Sequence, residues 1–229
     1  MAISWLTDDL LTFPAINSAT PDGLLAAGGD LSTTRLLAAY RQGVFPWYDR
    51  DSPILWWSPD PRMVLYPDQV HISKSLNKTL KRQPFDITFD KAFSDVMIAC
   101  AQPRSDEVSS GNHTWIQEEM IEAYTSLHQQ GHAHSVECWL AGRLVGGLYG
   151  VSIGRVFFGE SMFSTVTDSS KVAFASLCQH FVECGIELID CQVYSDHLAR
   201  LGAVTISRDS FIEQLATLCI QDPDLSVWS

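Results

Sequence analysis

The sequence predicts an α+β protein in which a small N-terminal α/β domain precedes a larger domain with a mixed, mostly antiparallel sheet. Three observations predict this class. Residues 1–60 are rich in Gly, Pro and Trp, unlike the rest of the chain. Helical patterns then dominate up to residue 131, and three extended runs follow one another between residues 135 and 164. We therefore expect two domains, residues 1–60 and residues 61–229.

The N-terminal domain is predicted to contain one helix between loops. Ser32 is a favourable N-cap residue and Gly43 suits the left-handed position that follows a helix. The turn at residues 28–30 lacks the Lys and Ser/Thr of a phosphate loop and follows no clear strand, so we interpret it as a simple turn. Prolines at positions 46 to 61 favour extended or turn conformations there.

The larger domain shows alternating helical and extended patterns. Thr114 is a candidate N-cap and Gly131 a candidate C-terminal residue for one helix, and Asp168 or Ser169 can cap another. The predicted elements are helices over residues 71–83, 90–101 and 114–131, strands over 135–140, 144–154 and 155–164, a helix over 169–185, a strand over 186–194, a helix over 195–202, a strand over 203–207 and a helix over 211–219.

Composition excludes several classes of function. A formal net charge of −12 argues against nonspecific DNA binding, because a polyanion would be repelled. The six cysteines include no CxxC pair, so neither disulfides nor a thiolate metal site is expected. The first residues, MAISWLTDDL, do not resemble a secretory leader, and no apolar run of bilayer length occurs in the sequence. We expect a cytoplasmic protein without a membrane partner, cofactor or metal.

One local exception to the negative charge is the segment 71–83, which contains no acidic residue. Helical spacing places its cations on one stripe and the apolar Ile72, Leu76 and Leu80 on the opposite one. The segment is either an ordinary solvated helix face or a phosphate-binding surface. Its cations are Lys74, Lys78, Lys81 and Arg82.

Two segments carry polar groups within apolar, strand-like sequence: FFGESMFS at residues 157–164 and LIDCQ at residues 188–192. A buried carboxylate is costly unless it is paired or hydrogen-bonded, so such groups belong either to a structural network or to a working site. The occurrence of both segments in one chain favours a working site. Spacing alone does not show that the two strands adjoin.

The alternation of a strand assigns the side chains of these segments to faces. Phe158, Glu160 and Met162 are predicted to point to one side of their strand. Asp190 and Gln192 are predicted to lie side by side on one face of theirs.

Other chemistry fits the sequence less well. Gly159-Glu160-Ser161 begins like a nucleophile elbow, but the final Gly is missing. Cys191 and His197 could form a nucleophile and a base, although a buried thiol is the simpler interpretation. The spacing of three histidines is close to that of metal ligands, but a glycine interrupts the helix that would align them. These are His128, His132 and His134.

Segments in order along nearly the whole chain resemble the leucyl/phenylalanyl-tRNA–protein transferase family. The chain differs from the family pattern at Ser169, Ser195, Asp196 and Arg200, which are expected in loops flanking the site. The matching segments are GLLAAGGDLS, VFPW, ILWWSPDPR, the GN-T-WI pattern at residues 111–116, AHSVECW, LVGGLYGV, FFGESMFS, SKVA, LIDCQ and HL-x-x-LGA.

The resemblance implies a larger domain of the GCN5-type acetyltransferase fold. It also implies transfer of Leu or Phe, and less readily Met, from aminoacyl-tRNA to proteins that begin with Arg or Lys. The added residue marks the acceptor for N-terminus-dependent degradation. Aminoacyl-tRNA and such acceptor proteins are thus the expected partners.

Roles follow from the resemblance position by position. Asp190 and Gln192 match the catalytic pair, with Asp190 polarising Gln192, although the tRNA itself could accept the proton instead. Glu160 matches the acceptor-binding acid. Trp47 and Trp115 match the residues that hold the terminal adenosine, and the cations of segment 71–83 would meet tRNA phosphates. The matched aminoacyl side-chain pocket comprises Leu148, Phe157, Phe174, Leu177 and Ile189.

Two rival functions remain open at this point. An acyl-CoA-dependent N-acetyltransferase would share the fold, but residues 164–173 lack the glycines of a pyrophosphate loop. A noncatalytic tRNA-binding module would explain the cations and the indoles. It would leave Glu160, Asp190 and Gln192 without a role.

Overall fold

The computed structural model describes residues 3–7, 11–102, 116–224 and 226–228. In these residues the predicted α+β class is confirmed, with one four-stranded and one seven-stranded sheet. The strands are β1 (Ser4–Leu6), β2 (Leu24–Gly28), β3 (Phe45–Pro46), β4 (Leu55–Trp57), β5 (Arg62–Leu65), β6 (Asp86–Phe89), β7 (Ala133–Leu140), β8 (Arg143–Ile153), β9 (Val156–Ser164), β10 (Leu188–Gln192) and β11 (Val204–Ile206).

Seven α-helices and two short 3₁₀ helices, Ile16–Ser18 and Pro67–Gln69, complete the described secondary structure. None of the described helices combines the length and apolar character needed to cross a bilayer. The α-helices are α1 (Thr33–Arg41), α2 (Lys74–Arg82), α3 (Phe93–Cys100), α4 (Glu118–Gln129), α5 (Ser169–Cys184), α6 (Asp196–Arg200) and α7 (Arg208–Leu218).

The four-stranded sheet belongs to the N-terminal part and has the order β1-β2-β4-β3. Ser32 caps α1 by accepting a hydrogen bond from the Arg35 N–H at 3.4 Å, and Gly43 has a φ of 71°, so both predicted helix boundaries are confirmed. The expectation that no strand precedes the turn at residues 28–30 is wrong. The apolar run of β2 leads directly into that turn.

The seven-stranded sheet has the order β11-β5-β10-β9-β8-β7-β6. Every neighbouring pair is antiparallel except β9 and β10, which run parallel. The prediction of a mixed, mostly antiparallel sheet is therefore confirmed. The single parallel pair places the same ends of β9 and β10 next to each other.

Two clusters of buried apolar side chains fill the two faces of this sheet. The first combines Leu36 and Trp56 of the N-terminal part with Phe158 of β9. The second combines Phe157 of β9 with Phe174 of α5, which packs on that face. Because the first cluster includes both parts of the chain, the small sheet is packed onto the large one. The domain boundary after residue 60 stays a prediction.

Several predicted boundaries shift in the structure. Helix α4 begins at Glu118 rather than after Thr114, which itself lies outside the described residues. Gly131 does follow the helix with a left-handed φ of 76°. The helix predicted over residues 90–101 begins at Phe93. Strands β5 and β6 were not predicted, because four residues are too few to establish an alternating pattern.

Candidate active site

The parallel pairing of β9 and β10 brings the two polar segments together. Phe158 pairs with Asp190, so Glu160 and Gln192, each two residues further along, become neighbours. The Gln192 Nε2 donates a hydrogen bond to the Glu160 Oε1 at 2.8 Å. The strand adjacency that spacing could not establish is thus present, and it joins an amide to a carboxylate.

A β-bulge distorts β9 at Glu160. Gly159 and Ser161 pair with consecutive residues of β8, so Glu160 between them is the extra residue. A bulge interrupts the alternation of faces, and Met162 therefore packs on the second cluster while Phe158 belongs to the first. The predicted common face of Phe158, Glu160 and Met162 is wrong at Met162 for this reason.

Glu160 accepts three hydrogen bonds from neutral donors. Its Oε1 accepts from the Tyr40 hydroxyl at 2.7 Å as well as from Gln192, and its Oε2 accepts from the Tyr124 hydroxyl at 3.1 Å. The two tyrosine hydroxyl oxygens also lie within hydrogen-bonding distance of each other, but each hydroxyl has a single proton, so no bond joins them when both donate to Glu160. Neither tyrosine was singled out as a functional residue from sequence, because each occupied an ordinary apolar position of a helix pattern.

The electrostatics of Glu160 follow from these surroundings. Burial raises its pKa to about 7, and the charge of Asp190 adds to the rise, while the hydrogen bonds from the two tyrosines and Gln192 oppose it. Burial also raises the pKa of Tyr40 and Tyr124 well above the ordinary value. Across the described part of the chain, no Lys, Arg or His forms an ion pair with Glu160.

No hydrogen bond joins the Asp190 carboxylate to the Gln192 side-chain amide. Its Oδ1 and Oδ2 accept hydrogen bonds from Arg62 Nε and Nη2 at 2.8 and 2.6 Å, and its Oδ1 also accepts from the Gln192 backbone N–H at 2.9 Å. Polarisation of the Gln192 amide by Asp190, as the resemblance implied, is thus not the observed contact. Asp190 instead holds the Gln192 backbone, which has a left-handed φ of 62°.

A cavity of about 300 Å³ opens beside Glu160 and Gln192. Four of the five predicted pocket residues line it: Leu148, Phe157, Phe174 and Ile189. The fifth, Leu177, is fully buried in the second cluster and does not contribute to the lining. Met162 adds to the wall because of the bulge at Glu160.

The competing nucleophiles are in poor environments. Burial raises the pKa of the Cys191 thiol well above its ordinary value, with Asp190 adding to the rise, so the thiolate is disfavoured although Cys191 and His197 both line the cavity. Ser161 lies within strand β9 rather than at a strand-to-helix corner. Neither group has the activated arrangement that covalent catalysis requires.

Two of the three spaced histidines do meet, together with Asp90. The ligand-type atoms of Asp90, His128 and His134 lie within 4.8 Å of one another. However, His134 Nδ1 donates to Asp90 Oδ2 at 2.6 Å, and His128 Nδ1 donates to the Ala133 carbonyl at 2.8 Å. The nitrogens that face Asp90 therefore carry protons, and the cluster is arranged as a hydrogen-bonded group.

The residues predicted to hold tRNA lie elsewhere. Trp47 is 45% exposed next to Trp57 on the small sheet and is not part of the cavity wall. Trp115 lies outside the described residues. On α2 the four cations are all exposed, while Leu76 is buried and Ile72 and Leu80 are partly buried, so the predicted two-sided helix is confirmed.

Known proteins match this chain along most of its length. The profile described as leucyl/phenylalanyl-tRNA protein transferase matches residues 64–216, and the profile of that protein's N-terminal domain matches residues 29–60. The chain belongs to this transferase family. The predicted resemblance and the predicted enzyme class, an aminoacyltransferase, are thereby confirmed.

Individual relatives agree with this family membership. The leucyl/phenylalanyl-tRNA–protein transferase of Pseudomonas fluorescens strain Pf0-1 is 53% identical over 228 residues, which cover 99% of each chain. That of Nitrosospira multiformis is 54% identical over 218 residues, covering 94% of this chain and 92% of the relative. Among solved structures, a GCN5-related N-acetyltransferase from Kribbella flavida has 10% identity and a TM-score of 0.40, covering 75% of this chain and 60% of that chain.

Proposed function

We propose that this member of the transferase family moves Leu or Phe, and less readily Met, from aminoacyl-tRNA to an N-terminal Arg or Lys of an acceptor protein. The new N-terminal residue then marks the acceptor for degradation. The observation that carries most weight is the meeting of Glu160 and Gln192 beside an apolar cavity. Such a site can hold a cationic acceptor, orient its amine and enclose an apolar side chain.

Glu160 is suited to bind the cationic side chain of the acceptor. An ionised carboxylate offers about four acceptor positions. Three are filled in the structure, two on Oε1 and one on Oε2, all by uncharged donors. One position on Oε2 therefore remains for a guanidinium or ammonium group. A charge-assisted bond there would compensate a partly buried negative charge that has no cationic partner among the described residues.

Gln192 is suited to orient the attacking amine. The Gln192 Nε2 donates a hydrogen bond to Glu160. The side-chain carbonyl oxygen of Gln192 can therefore accept a hydrogen bond from the acceptor's α-amine. The amine nitrogen attacks the ester carbonyl carbon, a C–N bond forms, and the bond to the tRNA ribose oxygen breaks. That oxygen leaves with the proton that the amine loses. A weak acceptor suffices, because an α-amine has a pKa of only ~8.

The apolar cavity is suited to the transferred side chain. Its volume of about 300 Å³ and its lining by Leu, Phe, Ile and Met side chains favour a large apolar group. An apolar pocket discriminates single methylene groups by only ~1 to 3 kcal/mol. Use of Leu, Phe and Met by one enzyme is consistent with this limit.

The tRNA is proposed to bind outside the cavity. Trp47 and Trp115 would hold the terminal adenosine by stacking, which suits any base with an exposed face. Helix α2 would contact phosphates through Lys74, Lys78, Lys81 and Arg82. We further propose a cytoplasmic location, where aminoacyl-tRNA is available, and a division into domains at residues 60 and 61.

The affinity for tRNA is expected to fall with rising salt. Four phosphate contacts predict a slope of roughly −3 in a plot of log affinity against log salt concentration. Replacing Lys78 and Lys81 with Gln should reduce this slope by roughly 2. The control replaces two exposed cations outside α2, Lys91 and Arg143, and should leave the slope unchanged. Salt-independent binding by the unmodified enzyme would refute the role of α2.

One assay tests the proposed function against its rivals. The enzyme is incubated with a peptide that begins with Arg and with either Leu-tRNA or acetyl-CoA, and the peptide mass is measured. Addition of Leu supports the proposal, whereas acetylation would identify an N-acetyltransferase. Binding of tRNA with no change in peptide mass would indicate a noncatalytic module.

A further inference from the structure

Arg62 is a fully buried cation at the junction of the two sheets. Its guanidinium carbon lies 4.7 Å from the ring centres of both Phe45, on the small sheet, and Phe211, on α7. Its Nη1 donates to the Gly43 carbonyl at 3.2 Å. The guanidinium is therefore fixed by elements from both parts of the chain before any contact with the active site is considered.

The remaining donors of Arg62 are directed at Asp190. Nε and Nη2 form two parallel bonds to the two carboxylate oxygens, at 2.8 and 2.6 Å. Both side chains are completely buried. A bidentate pair of this kind fixes the plane of the carboxylate as well as its position, which the single ammonium group of a Lys could not do.

The fixed carboxylate in turn holds Gln192. Asp190 Oδ1 accepts the Gln192 backbone N–H at 2.9 Å, at the point where the pairing of β10 with β5 shifts in register. Gln192 has a φ of 62°, which residues other than Gly seldom adopt unless their surroundings enforce it. The turned backbone brings the Gln192 side chain to Glu160.

We infer that Arg62 is a positioning residue for aminoacyl transfer, acting through Asp190 to hold Gln192 in its left-handed conformation. This inference rests on the proposed role of Gln192. It assigns the Arg62–Asp190 pair to orientation of the amide rather than to proton transfer. Asp190 accepts hydrogen bonds from the fixed Arg62 guanidinium on both oxygens and from the Gln192 backbone N–H on Oδ1, so the observed bonds of this carboxylate connect the buried cation to the backbone that carries the amide.

Fold stability alone is a weak explanation for this pair. Removing two charges from water is costly, and replacing a buried ion pair with apolar side chains of similar volume is often neutral or stabilising. Such a replacement would, however, remove the acceptor of the Gln192 N–H. Replacing Arg62 and Asp190 with apolar side chains should therefore preserve folding and abolish the positioning of Gln192.

The test compares the double variant Arg62→Met/Asp190→Leu with the single variant Arg62→Lys and with a control. The control, Arg155→Met/Asp224→Leu, replaces another Arg–Asp pair that is remote from the cavity. For each protein, kcat and KM for aminoacyl-tRNA are measured at saturating acceptor peptide. Hydrogen exchange of the Gln192 amide in wild type and Arg62→Lys provides a readout that does not depend on activity.

We expect the apolar double variant to fold and to keep its KM for tRNA, while kcat falls roughly 100-fold. Arg62→Lys should lose roughly 10-fold in kcat and exchange its Gln192 amide at least about 10-fold faster, with β8 amides unchanged. If the double variant does not fold, the Arg62→Lys exchange and kcat decide the matter. Wild-type kcat in a folded double variant, or unchanged exchange in Arg62→Lys, would overturn the inference. Absence of transfer by wild type would instead refute the proposed function.

Discussion

Replacing Gln192 with Ala is expected to lower the turnover number for aminoacyl transfer roughly 100- to 10,000-fold, the range typical of a positioned proton-transfer group. The Gln192 carbonyl is proposed to orient the attacking amine only as the new bond forms. Its loss should therefore act on kcat and leave the affinity for tRNA nearly unchanged. Rapid mixing of preformed enzyme–aminoacyl-tRNA complex with acceptor peptide measures the transfer step directly.

The matched control for this variant is Gln179→Ala. Gln179 is exposed on α5 and takes no part in the cavity wall, so its removal should leave transfer unchanged. If Gln192→Ala transferred Leu at the wild-type rate, the amide would have no part in the reaction. Assistance by the tRNA itself would then be the better account of proton transfer.

Replacing Glu160 with Gln is expected to lower kcat/KM for peptides that begin with Arg or Lys by roughly 10- to 150-fold. This corresponds to the ~1.5 to 3 kcal/mol that a hydrogen bond to a charged group contributes. A neutral amide of nearly the same shape keeps one acceptor oxygen, for Tyr40, and its NH2 can donate to the Tyr124 hydroxyl oxygen, but it removes the charge that the acceptor's cation would meet. A peptide that begins with an uncharged residue should show a much smaller change, which serves as the internal control.

The same carboxylate predicts a pH dependence. The ionised form accepts the Gln192 amide and binds a cation, so transfer should increase as pH rises through the Glu160 pKa of about 7. Deprotonation of the acceptor's α-ammonium group to the neutral, nucleophilic amine adds a second increase near pH ~8. In Glu160→Gln only the second increase should remain. A Glu160→Gln profile identical to that of wild type would contradict the assignment.

The ionisation of Glu160 changes the free energy of unfolding in the opposite direction to the rate of transfer as pH rises. The pKa of Glu160 is raised from 4.5 to about 7 in the folded protein, so the folded state binds more protons than the unfolded state between these values. The contribution of this group to the free energy of unfolding is fully present below pH 4.5 and is lost as pH rises through 7. An active site that works with Glu160 ionised therefore functions where this group stabilises the fold least.

Sequence periodicity predicted the exposed face of α2, where helical spacing placed the cations. In LIDCQ it predicted a common face for Asp190 and Gln192, but the pairing of β10 with β5 shifts in register between them, and the Gln192 amide bonds to Glu160 instead. Alternation failed at Met162, because a β-bulge inserts one residue and no local pattern in FFGESMFS marks it. The alternation of residues thus predicts the face of a side chain only where the hydrogen bonding between strands is regular.

Contacts between distant segments could not be predicted in the same way. Arg62 and Asp190 are 128 residues apart, and the prolines before Arg62 predicted extended or turn conformations without marking a buried strand. Tyr40 and Tyr124 occupy ordinary apolar positions of two helices, and only the packing of the small sheet onto the large one brings their hydroxyls to Glu160. The family resemblance supplied the substrates, which no pattern in these residues names.

The most direct test of the account is a double-mutant cycle on Glu160 and Gln192, which are joined by a 2.8 Å hydrogen bond. Transfer of Leu to a peptide that begins with Arg is measured for wild type, Glu160→Gln, Gln192→Ala and the double variant. If Glu160 fixes the amide that orients the amine, the double variant should lose much less than the product of the two single losses. Losses that multiply, as for two independent residues, would contradict a shared site.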